Sequence, residues 1–304
     1  MGLGAYFNGD GAFFNWDTHR DTLRAISVYG MLSCAMTLVI ITGGIDLSVG
    51  SLLALSSVTF SLLTLHHSIP VPFAIAACLF AGVLCGGTSG VLISKFKVQP
   101  FIATLAMMVF ARGIAKFISG SKKISTYVKQ GDEYVNIEMP KIFDFLNSRI
   151  LNDNLSIVTI IMVVCIIICF ILINKMRYGR QLFAIGGNEN AAKISGVPVN
   201  LVKVITYALS GFFCAIAGIC QAAQEYQGDP EAGVSYELTA IAMVVIGGTS
   251  LNGGRGSILW TLIGILTMGY LEKILSINAV GEDKRLILTG IIIVGAVLFQ
   301  KRKN

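Results

Sequence analysis

The residues of this chain that could do chemistry are the few polar and charged side chains that interrupt long apolar runs. They gather in two glycine-rich segments, 42–51 and 247–257, each of which separates two apolar runs. Non-helical backbone at membrane depth is tolerated only where it is buried in protein or lines a cavity, and broken helices in transporters mark the substrate path. The pattern predicts either two breaks that line such a path or two tight turns at the cytoplasmic surface.

Asp46 is the ionisable residue best placed for a role in the first segment. Charges inside membranes are functional by default, and a proton-coupled carrier needs a titratable group at mid-depth. Asp46 also follows Gly44 and precedes an apolar run. A carboxylate at such a position caps the free N–H groups of a helix start. We therefore expect Asp46 to be the N-cap of the second apolar run.

Other chemistry has little support in the sequence. No G-x-x-x-x-G-K-[ST] loop is present, so we expect no nucleotide site of that type and no cofactor. His66 and His67 are adjacent and no cysteine or acid cluster accompanies them, so no metal site is predicted. No Ser/His/Asp set is evident, and we expect no catalytic residues.

The composition points to a membrane protein. The 304 residues are 54% hydrophobic and 13% charged, with a mean hydropathy of +0.74. Soluble domains carry about 25% charged residues, and disordered chains are poor in apolar residues, so both classes are excluded. The net charge of +6 does not indicate nucleic acid, because the basic residues fall at the ends of apolar runs.

Backbone polar groups in lipid must be satisfied internally, so the apolar runs must be helices. We predict an all-α polytopic membrane protein with about nine transmembrane helices, interrupted by the two glycine-rich breaks. An outer stretch, 1–24, precedes a single transmembrane domain, 25–304, with an outer loop at 119–156. The predicted spans are 25–44, 47–65, 71–93, 98–118, 157–173, 202–222, 238–249, 257–275 and 286–299.

The distribution of charge predicts the orientation. Basic residues concentrate at 94–100, at 174–203 and at the end of the chain, three places that share one side if nine spans alternate. That side is the cytoplasm by the positive-inside rule. Only two acids, Asp46 and Glu189, fall on it. We expect a multi-pass protein of a bacterial-type plasma (inner) membrane, in contact with lipid, with its C-terminus in the cytoplasm and its N-terminus outside.

The cytoplasmic loop 174–203 carries signals for a short helix. Asn188 suits an N-cap, Glu189 the first turn and Lys193 the last turn, while Gly196 and Pro198 form a stop signal. So short a helix is unstable alone and needs a partner surface. That surface is either the inner face of the protein itself or a cytoplasmic protein.

Three motifs in order resemble a known family. They are Thr-Gly-Gly-Ile-Asp-Leu-Ser-Val-Gly-Ser at 42–51, Ala-Ile-Gly-Gly-Asn-Glu-Asn-Ala-Ala at 184–192 with Ser-Gly-Val at 195–197, and Ala-Ile-Ala-Met-Val-Val-Ile-Gly-Gly-Thr-Ser-Leu at 240–251. Together they are similar to the signature of the ribose-type monosaccharide permeases of ABC importers. The family usually has ten spans with both ends cytoplasmic, so the first span is expected to be missing.

The resemblance implies a permease that moves a sugar delivered by an extracytoplasmic sugar-binding protein. It also implies a second permease copy or sister chain, and separate ATPase subunits that bind ATP. The short helix would be the coupling helix that enters the ATPase, formed by Gly187, Asn188, Glu189, Asn190, Ala191, Ala192, Lys193 and Ile194.

A neutral, polar sugar needs hydrogen bonds rather than charges along its path. The candidate lining residues are Thr42, Asp46, Ser48, Thr104, Thr249, Ser250 and Asn252. The outer loop 119–156 and the acids Glu225, Asp229 and Glu231 are candidate contacts of the binding protein. Alternatives are a related permease for branched-chain amino acids or nucleosides, a stand-alone secondary carrier, and a membrane enzyme, for which no catalytic set is found.

Overall fold

A computed structural model describes residues 2–130 and 133–301. The helices are α1 (Gly2–Tyr6), α2 (Trp16–Ile41), α3 (Val49–Ser61), α4 (Val71–Ser94), α5 (Pro100–Ser119), α6 (Lys141–Asn147), α7 (Ile157–Asn174), α8 (Arg177–Gly187), α9 (Glu189–Ile194), α10 (Val199–Glu225), α11 (Tyr236–Ile246), α12 (Ile258–Ile277) and α13 (Glu282–Lys301). A 3-10 turn, Ala12–Phe14, precedes α2, and a π-helical turn, Leu62–His66, extends α3.

The strands are confined to the predicted outer loop. They form two antiparallel pairs, β1 (Tyr127–Gln130) with β2 (Glu133–Asn136) and β3 (Arg149–Ile150) with β4 (Leu155–Ser156). The all-α class is therefore confirmed, because these short hairpins lie outside the bundle of long apolar helices.

Seven helices in the described part of the chain are long and apolar enough to cross a membrane: Trp16–Ile41, Val49–His66, Val71–Ser94, Pro100–Ser119, Ile157–Asn174, Val199–Glu225 and Ile258–Ile277. The predicted span 238–249 corresponds to α11, which has only 11 residues. The predicted span 286–299 lies within α13, and the basic residues Arg302 and Lys303 lie outside the described residues. The polytopic class is confirmed, while the count of nine spans stays a prediction.

The first long helix begins earlier than the sequence predicts. Asn15 is the N-cap of α2, and its side chain accepts a hydrogen bond from the backbone N–H of Asp17 at 3.0 Å. The helix therefore takes up the last nine residues of the predicted outer stretch 1–24. The charged residues Asp17 to Arg24 had marked this first part as a polar stretch, but a good cap lets the helix extend beyond the apolar run.

Helix α10 is at the centre of the bundle, and glycines allow other helices to lie directly against it. A Cβ at Gly82 would come within 2.4 Å of the carbonyl oxygen of Gly211, and one at Gly86 within 2.1 Å of that of Tyr207. Small residues at such a contact let two helix backbones approach closely. Helix α4 therefore packs along the first half of α10.

Helix α3 packs along the second half of α10. A Cβ at Gly218 would come within 2.3 Å of the carbonyl oxygen of Leu53, and Gly218 lies about 28 Å along α10 at 1.5 Å per residue. Ser210, about 16 Å along the same helix, donates a hydrogen bond to Asp46. The segment from Thr42 to Ser48 therefore rises inside the bundle, and α3 starts near the middle of α10, whose whole length is about 40 Å.

Helix α11 begins at the same level and runs in the opposite direction. A Cβ at Gly50, beside the start of α3, would come within 2.0 Å of the carbonyl oxygen of Gly233, just before α11. The chain therefore has two half-length helices whose N-termini meet in the middle of the bundle. The segment 226–235, called the re-entrant segment below, descends from the end of α10 to this contact.

These positions decide between the two predicted alternatives for the glycine-rich segments. The first, 42–51, is a break inside the bundle. The second, 247–257, is a turn between α11 and α12 at the end of the bundle that carries α8 and α9. The inverted counterpart of the first break is the re-entrant segment, which the sequence had indicated only as an acidic outer loop.

Candidate functional site

The predicted short helix is present as α9. The Asn188 side-chain oxygen accepts a hydrogen bond from the backbone N–H of Ala191 at 2.9 Å, Glu189 lies in the first turn and Lys193 in the last. Gly196 ends the helix with a φ of +82°, a conformation that glycine adopts without steric cost. The capping signals read from the sequence therefore act as predicted.

Helix α9 presents most of its surface to solvent. Only Ala192 is buried, at 5% exposure, whereas Ile194 is 88% exposed. Asn190, Ala191 and Lys193 are exposed as well. The helix rests on its own protein through a single small residue and leaves an apolar side chain uncovered.

Glu189 is tied to the rest of the protein, although its side chain is 42% exposed. Its carboxylate accepts a hydrogen bond from Lys203 at 2.6 Å and lies 3.9 Å from the Nζ of Lys97. Lys203 is 13% exposed, so this pair is partly shielded from solvent. Glu189 therefore braces α9 against α10, a role that the sequence alone did not indicate.

Three parts of the chain meet beneath α9 through glycine backbone. A Cβ at Gly186, in the last turn of α8, would come within 1.9 Å of the carbonyl oxygen of Ile41 and 2.4 Å of the nitrogen of Gly254. A Cβ at Gly253 would lie 2.7 Å from the nitrogen of Gly43. The N–H of Gly254 donates to the carbonyl of Ile41 at 2.9 Å. We call these contacts the glycine junction.

The glycine junction brings together all three motifs of the sequence. It joins the end of α2 at the first break, the end of α8 just before α9, and the turn between α11 and α12. The junction therefore connects the end of α8, two residues before α9, to both glycine-rich segments by backbone contact.

A polar cavity of about 460 Å³ opens beside the glycine junction. Its lining residues are Gly186, Gly187, Ser250, Asn252, Gly253, Gly254 and Arg255. Two of the predicted path residues, Ser250 and Asn252, therefore line an open cavity next to α9.

The remaining predicted path residues are enclosed within the chain. Asp46 is fully buried, and its carboxylate accepts hydrogen bonds from the backbone N–H of Ser48 at 2.9 Å, the hydroxyl of Ser48 at 2.6 Å and the hydroxyl of Ser210 at 2.6 Å. Thr104 is also buried and donates to the carbonyl of Ile45 at 3.2 Å. These groups fasten the first break to α5 and α10.

Thr42 and Thr249 are buried too. The hydroxyl of Thr42 donates to the carbonyl of Val39 within its own helix end at 2.7 Å. In the single chain, the structure therefore separates the predicted path residues into a buried polar group around Asp46 and the lining of the cavity at Ser250 and Asn252.

Asp46 was expected to be the N-cap of α3, but the N-cap lies two residues later in the chain. The N-cap of α3 is Ser48, whose own side chain makes no capping hydrogen bond. Asp46 instead accepts from the N–H and hydroxyl of that N-cap residue. A carboxylate does lie near the free N–H groups of the helix start, as expected. The prediction that Asp46 is itself the N-cap was wrong.

The re-entrant segment is fastened by cationic side chains. The guanidinium of Arg112, in α5, donates to the carbonyls of Pro230 at 2.5 Å and Ala232 at 2.7 Å. Lys116 pairs with Glu231 at 2.6 Å, and Lys123 with Asp229 at 3.0 Å. The hydrogen bond to Asp229 raises the pKa of Lys123. Two of the acids expected to face a binding protein are therefore already paired within the chain.

These contacts differ in strength. Exposed ion pairs contribute about 0–1 kcal/mol each, and Lys116, Glu231 and Lys123 are all more than 40% exposed. Hydrogen bonds to charged groups contribute about 1.5–3 kcal/mol, and Arg112 is partly buried. Arg112 therefore dominates the attachment of the re-entrant segment to α5.

The bundle, with seven long apolar helices in the described part of the chain, is that of a multi-pass membrane protein. The family model described as the permease component of branched-chain amino acid transport systems matches residues 20–297. The chain belongs to this family, which places it among transport permeases rather than enzymes.

Several relatives are named as sugar permeases. The ribose import permease protein RbsC of Bacillus subtilis (strain 168) is 42% identical over 282 residues, 93% of this chain and 84% of that protein. The L-arabinose transport system permease protein AraH of Escherichia coli (strain K12) is 36% identical over 281 residues, 92% and 81% of the two chains. The fructose import permease protein FrcC of Rhizobium meliloti is 34% identical over 289 residues, 94% and 78%. No solved structure matches the chain.

Sequence reasoning missed the residues that hold the re-entrant segment. The sequence pattern did not single out Arg112, Ser210 or Gly233. One available signal was the shortness of the apolar run 238–249, which leaves too few residues for a full span. Its partner at Gly50 could not be found, because the contact joins residues far apart in the sequence.

Proposed function

We propose that this chain is the permease subunit of an ATP-driven importer for a monosaccharide. In this proposal ATP is bound by separate ATPase subunits, and an extracytoplasmic binding protein delivers the sugar. A second permease copy or a sister chain completes the membrane core. Family membership supports the permease role, and the ribose, arabinose and fructose permeases among the relatives support a sugar as substrate.

The observation that carries the proposal is the position of α9 over the glycine junction. An exposed Ile194 on α9 suits a partner protein that covers it, since exposed apolar anchors surrounded by polar groups are typical of interfaces. The junction below links α9 to both glycine-rich segments by backbone contact. ATP binding in the partner shifts the permease between states only through such differential contacts.

The polar groups of the cavity fit a neutral ligand better than a zwitterion. The lining offers the hydrogen-bonding groups of Ser250 and Asn252 and one cation, Arg255, but no carboxylate. The carboxylate of Asp46 is engaged by three donors inside the chain. An amino acid would need a free charge of each sign. We therefore favour a sugar over the amino acids in the family's description.

The orientation follows from the charge pattern. We propose that the side carrying α8, α9 and the turn 247–257 faces the cytoplasm, together with the C-terminus. Lys97, Lys175, Arg177 and Lys203 lie on this side, as the positive-inside rule requires. The outer loop 119–156 then faces the binding protein.

The proposal is tested by co-purification of the full-length chain from its own membranes. We expect an ATPase with a phosphate-binding loop to co-purify, and Ile194→Asp to abolish this. Leu151→Asp is the matched control, because Leu151 is also an exposed aliphatic residue, 69% exposed, but lies in the outer loop. Absence of an ATPase with the unmodified chain, kept monodisperse, would favour a stand-alone carrier.

The substrate class is tested separately by uptake. Cells that express the intact transporter are given labelled ribose, arabinose, fructose or leucine. Uptake of a sugar that depends on ATP supports the proposal. Uptake of leucine alone would assign the chain to amino acid transport, and dependence on an ion gradient would assign it to secondary carriers.

A further inference from the structure

We propose that the re-entrant segment 226–235 is a gate on the outer half of the transport route, and that Arg112 is the positioning residue that holds it shut. The inference rests on the proposed transport function but names residues that the function does not require. It is carried by the contacts at the tip of the segment, at its two ends and along its outer side.

The tip of the gate closes by direct backbone contact. A Cβ at Gly233 would come within 2.5 Å of the carbonyl oxygen of Gly50, and one at Gly50 within 2.0 Å of that of Gly233. The carboxylate of Glu237, in the first turn of α11, lies beside this contact, 3.0 Å from the Cβ position of Gly50. The contact lies where α3 and α11 meet, midway along α10.

The two ends of the segment have backbone conformations suited to a hinge. Tyr226 and Ser235 flank it and both have positive φ, +54° and +66°. Such conformations are strained in non-glycine residues, and they occur at switch regions where the surroundings hold them in place. Release of the segment relieves this strain, so the closed position depends on the contacts that hold it.

Those contacts come from the outer half of the bundle. Arg112 binds two carbonyls of the segment, at Pro230 and Ala232, and so fixes its backbone directly. The carboxylates of Asp229 and Glu231, on the same segment, add electrostatic attraction to the guanidinium. Lys116 and Lys123 add weaker, exposed pairs with Glu231 and Asp229.

The gate is also joined to the outer loop. Ile124 and Gly228 exchange two backbone hydrogen bonds, each 2.8 Å long. A protein that docks on the outer loop and displaces Ile124 therefore pulls directly on the segment. The outer loop thus offers a mechanical connection from the surface to the contact at Gly50.

The test measures access to the start of α3 from the side of the outer loop. Ser51 lies one residue beyond Gly50 and is 2% exposed, so Ser51→Cys places a thiol behind the closed gate. A membrane-impermeant maleimide is added to that side of sealed membranes containing the full chain. The parent chain, whose seven cysteines are all buried, gives the background.

We expect Arg112→Gln to accelerate the labelling of Ser51→Cys about ten- to hundredfold, since labelling follows the open population and one charged hydrogen-bonding group is lost. Arg112→Lys keeps the charge and one point of contact, and should give an intermediate rate. The control thiol is Ser89→Cys in α4, which is equally buried at 1% exposure but distant in the sequence from the gate. Its labelling should not change.

An unchanged labelling rate at Ser51→Cys, or equal acceleration at Ser89→Cys, would overturn the proposal. If Arg112→Gln does not fold, the double variant Lys116→Gln with Lys123→Gln weakens the same segment more mildly and should give a smaller acceleration. The assay needs no sugar, ATP or partner protein. Failure of the gate is therefore distinguishable from failure of the proposed function, which the co-purification and uptake experiments test.

Discussion

Gly186 and Ile41 approach so closely that no side chain fits at position 186. A Cβ there would lie 1.9 Å from the carbonyl oxygen of Ile41, while the next residue, Gly187, has nothing within 4 Å of its Cβ position. Two adjacent glycines of one motif therefore have different requirements. Gly186 is needed for the glycine junction, and Gly187 tolerates a side chain.

This difference gives a matched pair of variants. We expect Gly186→Ala to force α8 away from α2, lowering stability by about 1–3 kcal/mol, the usual cost of overpacking, and reducing transport. Gly187→Ala should leave stability unchanged, because nothing lies within 4 Å of its Cβ position. Thermal unfolding of the purified chain and uptake in cells measure the two effects. Equal behaviour of the two variants would contradict the proposed contact.

The pair of Glu189 and Lys203 gives a second prediction. Reversal of charge in Glu189→Lys places two ammonium groups together beside α9, so α9 should detach and its backbone amides should exchange faster with deuterium. Lys203→Glu alone should do the same. The double variant restores an opposite pair and should recover most of the protection, although Lys97 still lies nearby.

Hydrogen exchange followed by mass spectrometry on peptides covering α9 measures this effect. Peptides from α4 are the internal control and should not change. Additive loss in the double variant, rather than recovery, would show that the two residues do not act as a pair. If the double variant recovers protection, reduced coupling in Glu189→Lys does not show that Glu189 contacts a partner protein, because the first effect of the substitution is within the chain.

Local signals allowed parts of the site to be predicted. Helix α9 follows from Asn188, Lys193 and Gly196, all within nine residues, because caps and stop signals act over one or two turns. The polytopic class needs only composition and the length of apolar runs.

Long-range contacts explain what the sequence did not reveal. The depth of the first break depends on Ser210, which lies 164 residues from Asp46. The re-entrant segment has acids that resemble a solvated loop, and only Arg112, 118 residues before Pro230, reveals that it enters the bundle. Neither pairing has a fixed spacing, so no pattern within one segment predicts it.

The buried carboxylate of Asp46 gives a third prediction. Asp46→Ala leaves the N–H of Ser48 and the hydroxyl of Ser210 without their acceptor, which should lower stability by about 3 kcal/mol. Asp46→Asn keeps one acceptor oxygen for Ser48, and its amide can donate to Ser210, so the loss should be about 1 kcal/mol. Chemical unfolding of the purified chain measures the difference. Equal losses would show that charge, and not hydrogen bonding, is what matters at this position.

The contact of the two half-length helices gives the last prediction. Gly50→Ala adds a methyl group 2.0 Å from the carbonyl oxygen of Gly233, a distance that neither backbone can accommodate in place. The re-entrant segment must therefore shift outward, which should lower stability by about 1–3 kcal/mol and lengthen the contacts of Arg112 with Pro230 and Ala232.

The matched control is Gly113→Ala, because Gly113 lies within α5 and has nothing within 4 Å of its Cβ position. There the substitution should raise stability, since alanine favours a helix interior by about 0.8–1 kcal/mol over glycine. Thermal unfolding measures both effects. Deuterium exchange in peptides covering 226–235 should increase only in Gly50→Ala. If exchange in these peptides does not increase, the added methyl group displaces α3 instead of the re-entrant segment. The segment held by Arg112 would then be the more rigid of the two elements.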